Sequence, residues 1–511
     1  PTSDRALTEK DIRMDDGSLY IDKIDNVNLR VNGDISQLLE LKAFSSFYAP
    51  NHKFHPRFRA RIWDGKISYF NMHHKTLPIG LMPELLKFCN QFGYSPKMTF
   101  NIDELVPQQK DDAHFKTFYD IIFKDTEFYP REYQHDAIKS AINNRRGIIV
   151  SPTGSGKSLI IYAIIRYLLT EGKKVILVVP NVSLVNQMFN DFVDYGWYEC
   201  GHHTEKLYSG QKPTFGKEVL ITTYQSLLRK GPEFFTPYEA IMNDEAHTVK
   251  SVELQKIAAK CANASTRIGL TGTLPKEESD AYNIHGMLGP TIYNLKSKKL
   301  IDEGVLSNIA VVNAFLKYPK DIAEKGKRRK YHDEIDLIET TPERMNAFKY
   351  VFDNIKDGQN SLILVNHIQH LNDIKDFIET NIDDKYTLYI INGSIDANKR
   401  EVIRQTIDKE NNVILLATFG TVSTGINIKR IHNVIFGSSS KSEIRVLQSI
   451  GRGLRTHEAK EGVVIWDFVD DFSFVNRNGN QTNNHVYGHW EERYKYYKEQ
   501  EFPCFKKDIK L

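Results

Sequence analysis

The stretch Ser151-Pro152-Thr153-Gly154-Ser155-Gly156-Lys157-Ser158 follows the apolar run Gly147-Ile148-Ile149-Val150 and leads straight into Leu159-Ile160-Ile161-Tyr162-Ala163-Ile164-Ile165. A buried strand that passes through a Gly-rich turn into an apolar helix leaves few folds open. The strand needs parallel neighbours and helices on both faces, and the turn then sits at its carboxyl end. Glycines without Cβ and the first N–H groups of the helix make such a turn a cradle for polyphosphate. On this reading Thr153, Gly154, Ser155 and Gly156 approach phosphate oxygens, Lys157 reaches the β and γ phosphates, and the Ser158 hydroxyl ligates Mg²⁺. Ser151 stands where the pattern usually has its first glycine.

A phosphate loop needs an acidic partner, and one follows. Ala240-Ile241-Met242-Asn243 reads as a strand that ends in Asp244-Glu245-Ala246-His247. Alone, Asp-Glu would be an exposed acidic turn. After a phosphate loop, Asp244 is expected to hold the metal through water and Glu245 to orient and deprotonate an attacking water. Farther on, Gln448, Arg452 and Arg455 lie at helical spacing, with the two arginines on one face, so that they can present guanidinium groups to a γ-phosphate. Leu270-Thr271-Gly272-Thr273-Leu274 and the stretch from Ala417 to Asn427, with Thr418 and Gly425, complete the ordered set.

That set resembles a superfamily-two helicase of the DEAH-lettered kind over roughly residues 128–470. Tyr133 and Gln134 resemble its adenine-side motif, residues 180–187 its motif Ia, residues 222–225 with Thr223 its motif Ib, and residues 271–273 its motif III. Thr418 and residues 423–427, including Gly425, resemble motif V, and residues 448–455 motif VI. The resemblance implies an α/β chain with two RecA-like parallel-sheet domains side by side, ATP and Mg²⁺ as cofactors, and nucleic-acid contacts from Thr223 and Thr418. Apolar runs such as 175–179, 219–221, 361–365, 388–391, 413–417 and 463–466 fit buried parallel strands by themselves.

Residues 1–120 carry none of these motifs. Here basic and aromatic residues interleave in His52-Lys53-Phe54-His55-Pro56-Arg57-Phe58-Arg59-Ala60-Arg61-Ile62-Trp63. On a strand Arg57, Arg59 and Arg61 would share one face toward a duplex backbone, with Phe58 packed inward and Trp63 free to stack on bases. A small domain that only supports its neighbour is the plain alternative. Phe54, Pro56-Arg57-Phe58-Arg59, Trp63-Asp64-Gly65 and Leu77-Pro78 with Gly80-Leu81 resemble the N-terminal domain of the recombination helicases of T-even phages. That implies a small α+β module that binds double-stranded DNA, on a helicase that migrates junctions and unwinds R-loops and D-loops. It further implies branched DNA and RNA–DNA hybrids as partners, possible contacts with phage recombination or single-strand-binding proteins, a monomer, and a host-cell cytoplasmic location. A duplex translocase, an ATP-gated sensor and an RNA-directed enzyme stay open.

The expected organisation is therefore a nucleic-acid-binding domain over 1–120, helicase domains over 121–296 and 297–472, and a linker with a packed helix over 473–511. Hydrophobic residues make up 41% and charged residues 26% of the 511, enough to build several cores, and no run is long and apolar enough to span a membrane. The acidic start, with Asp4, Glu9, Asp11, Asp15 and Asp16, lacks a signal-peptide core. Four cysteines without regular spacing suit a reducing compartment. A net charge of only +3 means nucleic-acid binding must come from local patches. The densest basic run, Lys325, Lys327, Arg328, Arg329 and Lys330, reads first as a solvated face and second as a phosphate contact. Near the end, Val486, Trp490, Tyr494 and Tyr497 recur at helical spacing after a polar stretch that reads as a linker.

Overall fold

A computed structural model describes residues 17–101, 105, 109–208, 216–250, 252–275, 277–395, 397–423, 430–439, 462–475 and 478–511. By contact density the chain forms two compact units, one of residues 1–151 and 156–294, the other of 295–511 with 152–155.

The first unit opens with four strands, β1 (Ser18–Lys23), β2 (Asn28–Asn32), β3 (Thr76–Pro78) and β4 (Ser95–Met98), in the order β3-β2-β1-β4. Alternate residues Leu19, Ile21, Leu29 and Val31 point to one face, where helices α1 (Ile35–Phe44) and α2 (Met82–Phe92) bring Leu38, Leu41, Leu85 and Phe88. Residues 52–63 do not form the strand that alternation suggested. His52–Phe54 is a short 3₁₀ turn, Pro56–Arg59 is one helical turn with Pro56 at its start, and Arg61 is left-handed at φ 57°. Proline sets φ for a first helical position and has no N–H for a ladder, so it starts a turn here. Arg57, Arg59 and Arg61 therefore do not line one strand face.

The module packs on helix α6 (Glu278–Leu288), which belongs to the same unit. Phe47 lies against Tyr282 with ring centroids 4.7 Å apart, and the Tyr69 hydroxyl donates to the Ser279 carbonyl at 2.5 Å. Gly80 makes this approach possible, since a Cβ there would stand 2.1 Å from the His285 carbonyl oxygen.

The first parallel sheet contains β5 (Arg146–Val150), β6 (Val175–Val179), β7 (Thr204–Leu207), β8 (Val219–Thr223), β9 (Ala240–Asp244), β10 (Thr266–Thr271) and β11 (Thr291–Asn294), in the order β11-β5-β10-β9-β6-β8-β7. Val175, Leu177 and Val179 enter one core with α3 (Glu132–Asn144), α4 (Lys157–Thr170) and α5 (Val182–Asp194), while Ile176 and Val178 enter the core on the other face. The uninterrupted apolar runs thus reflect burial on both sides.

The second unit repeats the plan with β12 (Asn308–Lys317), β13 (Ser361–Val365), β14 (Thr387–Ile391), β15 (Val413–Thr418), β16 (Asn433–Phe436), β17 (Gly462–Asp470) and β18 (Cys504–Lys510), all parallel, in the order β14-β15-β13-β16-β17-β12-β18. The terminal helix α7 (His485–Glu499) packs on this sheet. Arg493 forms a two-pronged pair with Asp467 at 3.0 and 2.8 Å, Tyr497 donates to the same carboxylate at 2.8 Å, and the Trp490 indole donates to Asn313 at 2.8 Å. Part of the polar stretch before it makes defined contacts. Asn484 is buried and donates to Glu334 at 2.7 Å, and Phe474–Val475 pairs with Gln481–Thr482. Within the basic run, Lys325 pairs with Asp321 and Lys327 with Glu324, while Arg328 lies over the Phe474 ring at 5.0 Å. Those contacts fit the solvated-face reading. Among the described residues no helix is long and apolar enough to cross a membrane.

Candidate functional site: a nucleotide cradle and a neighbouring cleft

Three adjacent strands of the first sheet, β5, β10 and β9, end side by side. Val150 pairs with Thr271, and Leu270 with Asp244, so residues 151–158, 271–273 and 244–247 leave the sheet at one edge. Strand spacing places the outer two ends about 10 Å apart.

The loop is fixed to the sheet before it turns. Ser151 is fully buried, and its N–H donates to the Thr271 carbonyl at 2.8 Å. The position needs no left-handed backbone, so serine serves where glycine is usual. Gly154 and Gly156 do need it, at φ 89° and 79°. At Gly156 a Cβ would also meet the Gln134 amide nitrogen at 2.4 Å, so the amide of Gln134 leaves no room for a larger residue. Gln134 accepts from the Arg131 N–H at 2.9 Å, which fixes the start of α3 beside the loop. Thr153 and Ser155 lie in the turn, and Ser155 is buried. Lys157 donates to the Ser151 carbonyl at 3.2 Å, and Ser158 Oγ lies 2.7 Å from the Tyr195 hydroxyl.

The acidic pair is linked to the same edge. Glu245 is left-handed at φ 54°, an unusual state for a residue with a long side chain, costing about 1–2 kcal/mol. Its carboxylate lies 3.2 Å from His247 Nδ1, which lies 3.0 Å from Thr271 Oγ1, and Thr271 in turn donates to the Thr273 carbonyl at 2.8 Å. Burial, with Glu245 beside it, pushes the Asp244 carboxyl up to about 7, although Lys157 and His247 pull the other way. A carboxyl group whose pKa burial raises and a hydroxyl, on segments that leave one sheet edge, are a donor set that suits a hard cation completed by phosphate oxygens and water. The residues present therefore fit Mg²⁺.

Beside the cradle a cleft of about 680 Å³ is lined by Pro180, Asn181, Thr223, Gln225, Ser226 and Arg229 among others. Asn181 caps α5 by accepting from the Leu184 N–H at 3.0 Å. The Thr223 side chain is buried and meets Ser226 Oγ at 3.2 Å. Sequence reasoning passed over Arg229 and Tyr195, since neither belongs to a local pattern and only the packing of α4, α5 and β8 brings them to these sites. In the first module, Lys53, Arg59, Arg61 and Trp63 line a second hollow of about 550 Å³, and the Trp63 indole donates to the Lys66 carbonyl at 2.9 Å. Arg57 sits at the helical turn beside it. In the second unit Thr418 ends β15 and meets Thr421 Oγ1 at 2.7 Å. Gly425, Gln448, Arg452 and Arg455 lie outside the described residues.

Two parallel-sheet units in one chain, with a phosphate loop joined through the middle strand of the first sheet to an acidic pair, resemble the architecture of a superfamily-two helicase, and this chain is an ATP-dependent DNA helicase. Residues 127–276 match the family of the type III restriction enzyme res subunit, residues 343–457 the conserved C-terminal helicase domain, and residues 19–99 the N-terminal domain of the DNA helicase UvsW. The chain is similar to the ATP-dependent DNA helicase UvsW of Enterobacteria phage T4, with 29% identity over 95% of this chain and 98% of that one. The crystal structure of T4 UvsW superposes with a TM-score of 0.51 at 27% identity, covering 96% of this chain and 99% of that one. A shorter similarity, 28% over 33% of this chain and 36% of the relative, joins it to the DNA 3'-5' translocase XPB2 of Sulfurisphaera tokodaii.

Proposed function

We propose that this ATP-dependent DNA helicase remodels branched nucleic acids: it migrates four-way junctions, regresses forks and unwinds R-loops and D-loops in recombination, repair and replication. The observation that carries this reading is end-to-end similarity to UvsW, front module included, in a chain whose phosphate loop and acidic pair leave neighbouring strands at one sheet edge. The front module over residues 1–120 is the duplex-binding part, with Arg57, Arg59, Arg61 and Trp63 as contacts. Thr223 and Thr418 meet the strand that is moved.

In the hydrolytic step Lys157 turns from the Ser151 carbonyl to the β and γ phosphates, and Glu245 aligns a water in line with the γ-phosphoryl group and accepts its proton. When bound, Mg²⁺ held by Ser158 and Asp244 supplies charge neutralisation to the phosphates. Arg452 and Arg455, together with Gln448, are on this reading the groups that stabilise charge on the transferring group. The Glu245–His247–Thr271 linkage gives a route by which loss of the γ-phosphate reaches the loop after β10. A second reading, duplex translocation without strand exchange, is favoured by the similarity to the XPB2 translocase.

The deciding experiment is ATP-dependent conversion of a synthetic four-way junction, a fork and an R-loop by the intact chain, with Glu245→Gln as control. Conversion by the wild type and binding alone by the variant is the expected result. DNA-stimulated hydrolysis with no strand changing partner would transfer the assignment to the translocase reading.

A further inference from the structure

The Ser158 hydroxyl has a partner that lies outside every motif. Tyr195 Oη stands 2.7 Å from Ser158 Oγ, and its ring is fixed by Phe128 at 4.9 Å and Tyr162 at 5.5 Å. A hydroxyl that ligates a cation must turn its hydrogen away from the metal, and that hydrogen needs an acceptor at a set place. The phenol oxygen, 2.7 Å away and held by its packed ring, supplies one.

Tyr195 also ends helix α5. Its N–H donates to the Asp191 carbonyl at 2.9 Å, and Val185, Met188 and Phe192 bury the helix against the core. The opposite end of this helix, some 20 Å away by its rise per residue, presents Asn181 and Val182 to the cleft shared with Thr223 and Arg229.

We infer that Tyr195 is a positioning residue that orients the metal-ligating hydroxyl of Ser158, and that it ties this hydroxyl to the helix that lines the nucleic-acid cleft. The inference rests on the nucleotide-site reading above. It assigns part of the response of the nucleotide site to nucleic acid to one phenol outside the motifs.

The test measures Mn²⁺ affinity by electron paramagnetic resonance of the intact chain with a non-hydrolysable ATP analogue, for wild type, Tyr195→Phe, Ser158→Ala and the double variant. Phenylalanine keeps the ring against Phe128 and Tyr162 and removes only the hydroxyl. Tyr195→Phe is expected to weaken Mn²⁺ binding about tenfold and to add nothing in the Ser158→Ala background. A short DNA duplex is expected to shift Mn²⁺ affinity in the wild type and to leave Tyr195→Phe unmoved. Wild-type Mn²⁺ affinity in Tyr195→Phe, or additive losses in the double variant, would overturn the orienting role. A DNA effect that survives in Tyr195→Phe would overturn the tie to α5. Should Ser158→Ala itself bind Mn²⁺ like the wild type, the nucleotide-site reading falls and takes the proposal with it, an outcome distinct from failure at Tyr195 alone.

Discussion

At the residue scale, the environment of the nucleotide cradle acts on the protonation of Asp244. Asp244 carries a proton in the nucleotide-free protein from near 3.8, where an ordinary aspartate loses it, up to about 7. Because the folded state binds this proton and the unfolded chain does not, its contribution to stability is present at low pH and is lost as pH rises through that window. A preformed complex of Mg²⁺ with a non-hydrolysable nucleotide should therefore release a proton on binding near pH 6, and much less near pH 8.5. Calorimetry in buffers of different ionisation enthalpy measures it, and Asp244→Asn should abolish it. Lys157→Ala should reduce turnover by roughly 10²-fold or more, and normal steady-state hydrolysis would sink the loop assignment. Arg455→Ala should cut turnover about 10³-fold with little change in nucleotide affinity, since a guanidinium finger acts on the transition state. Equal losses in both would make it a binding residue.

At the scale of elements, legibility depended on how local the cause was. The loop, the helix after it and the strand before Asp244 were readable because apolar runs, glycines and a Lys-Ser pair report on their own segment. Arg57, Arg59 and Arg61 misled because alternation is a strand signal only where the backbone can extend, and Pro56 starts a helical turn instead. Helix α7 was readable from its apolar spacing, but its anchor was not. Arg493 would pass for a solvated charge until β17 places Asp467 beneath it, both side chains at most 2% exposed. Arg493→Met should lower unfolding stability by about 3–5 kcal/mol, since it leaves a buried carboxylate short of its partner. Chemical denaturation checks this, and a loss below about 1 kcal/mol, the range of surface pairs, would mean that the pair is solvated.

At the scale of the whole molecule, two parallel sheets of seven strands each among the described residues repeat one plan, and Cys504–Lys510 forms one edge of the second. Strand β18 pairs with β12 from Val311 to Lys317, an edge that no alternation in Cys504-Phe505-Lys506-Lys507-Asp508-Ile509-Lys510 announced. Its side chains are mostly exposed, so its place is decided by backbone hydrogen bonds that β12 offers rather than by its own hydrophobicity. What the sequence determined by itself was the strand–loop–helix placement of residues 147–165 and the α/β class, because both are written in short segments whose residue types have few alternative uses. What only the tertiary structure decided was who meets whom across distance: Tyr195 with Ser158, His247 with Thr271, Arg493 with Asp467, and β18 with β12. Those pairings depend on strand order and helix packing, and a free energy spread over many weak contacts leaves no local mark on either partner.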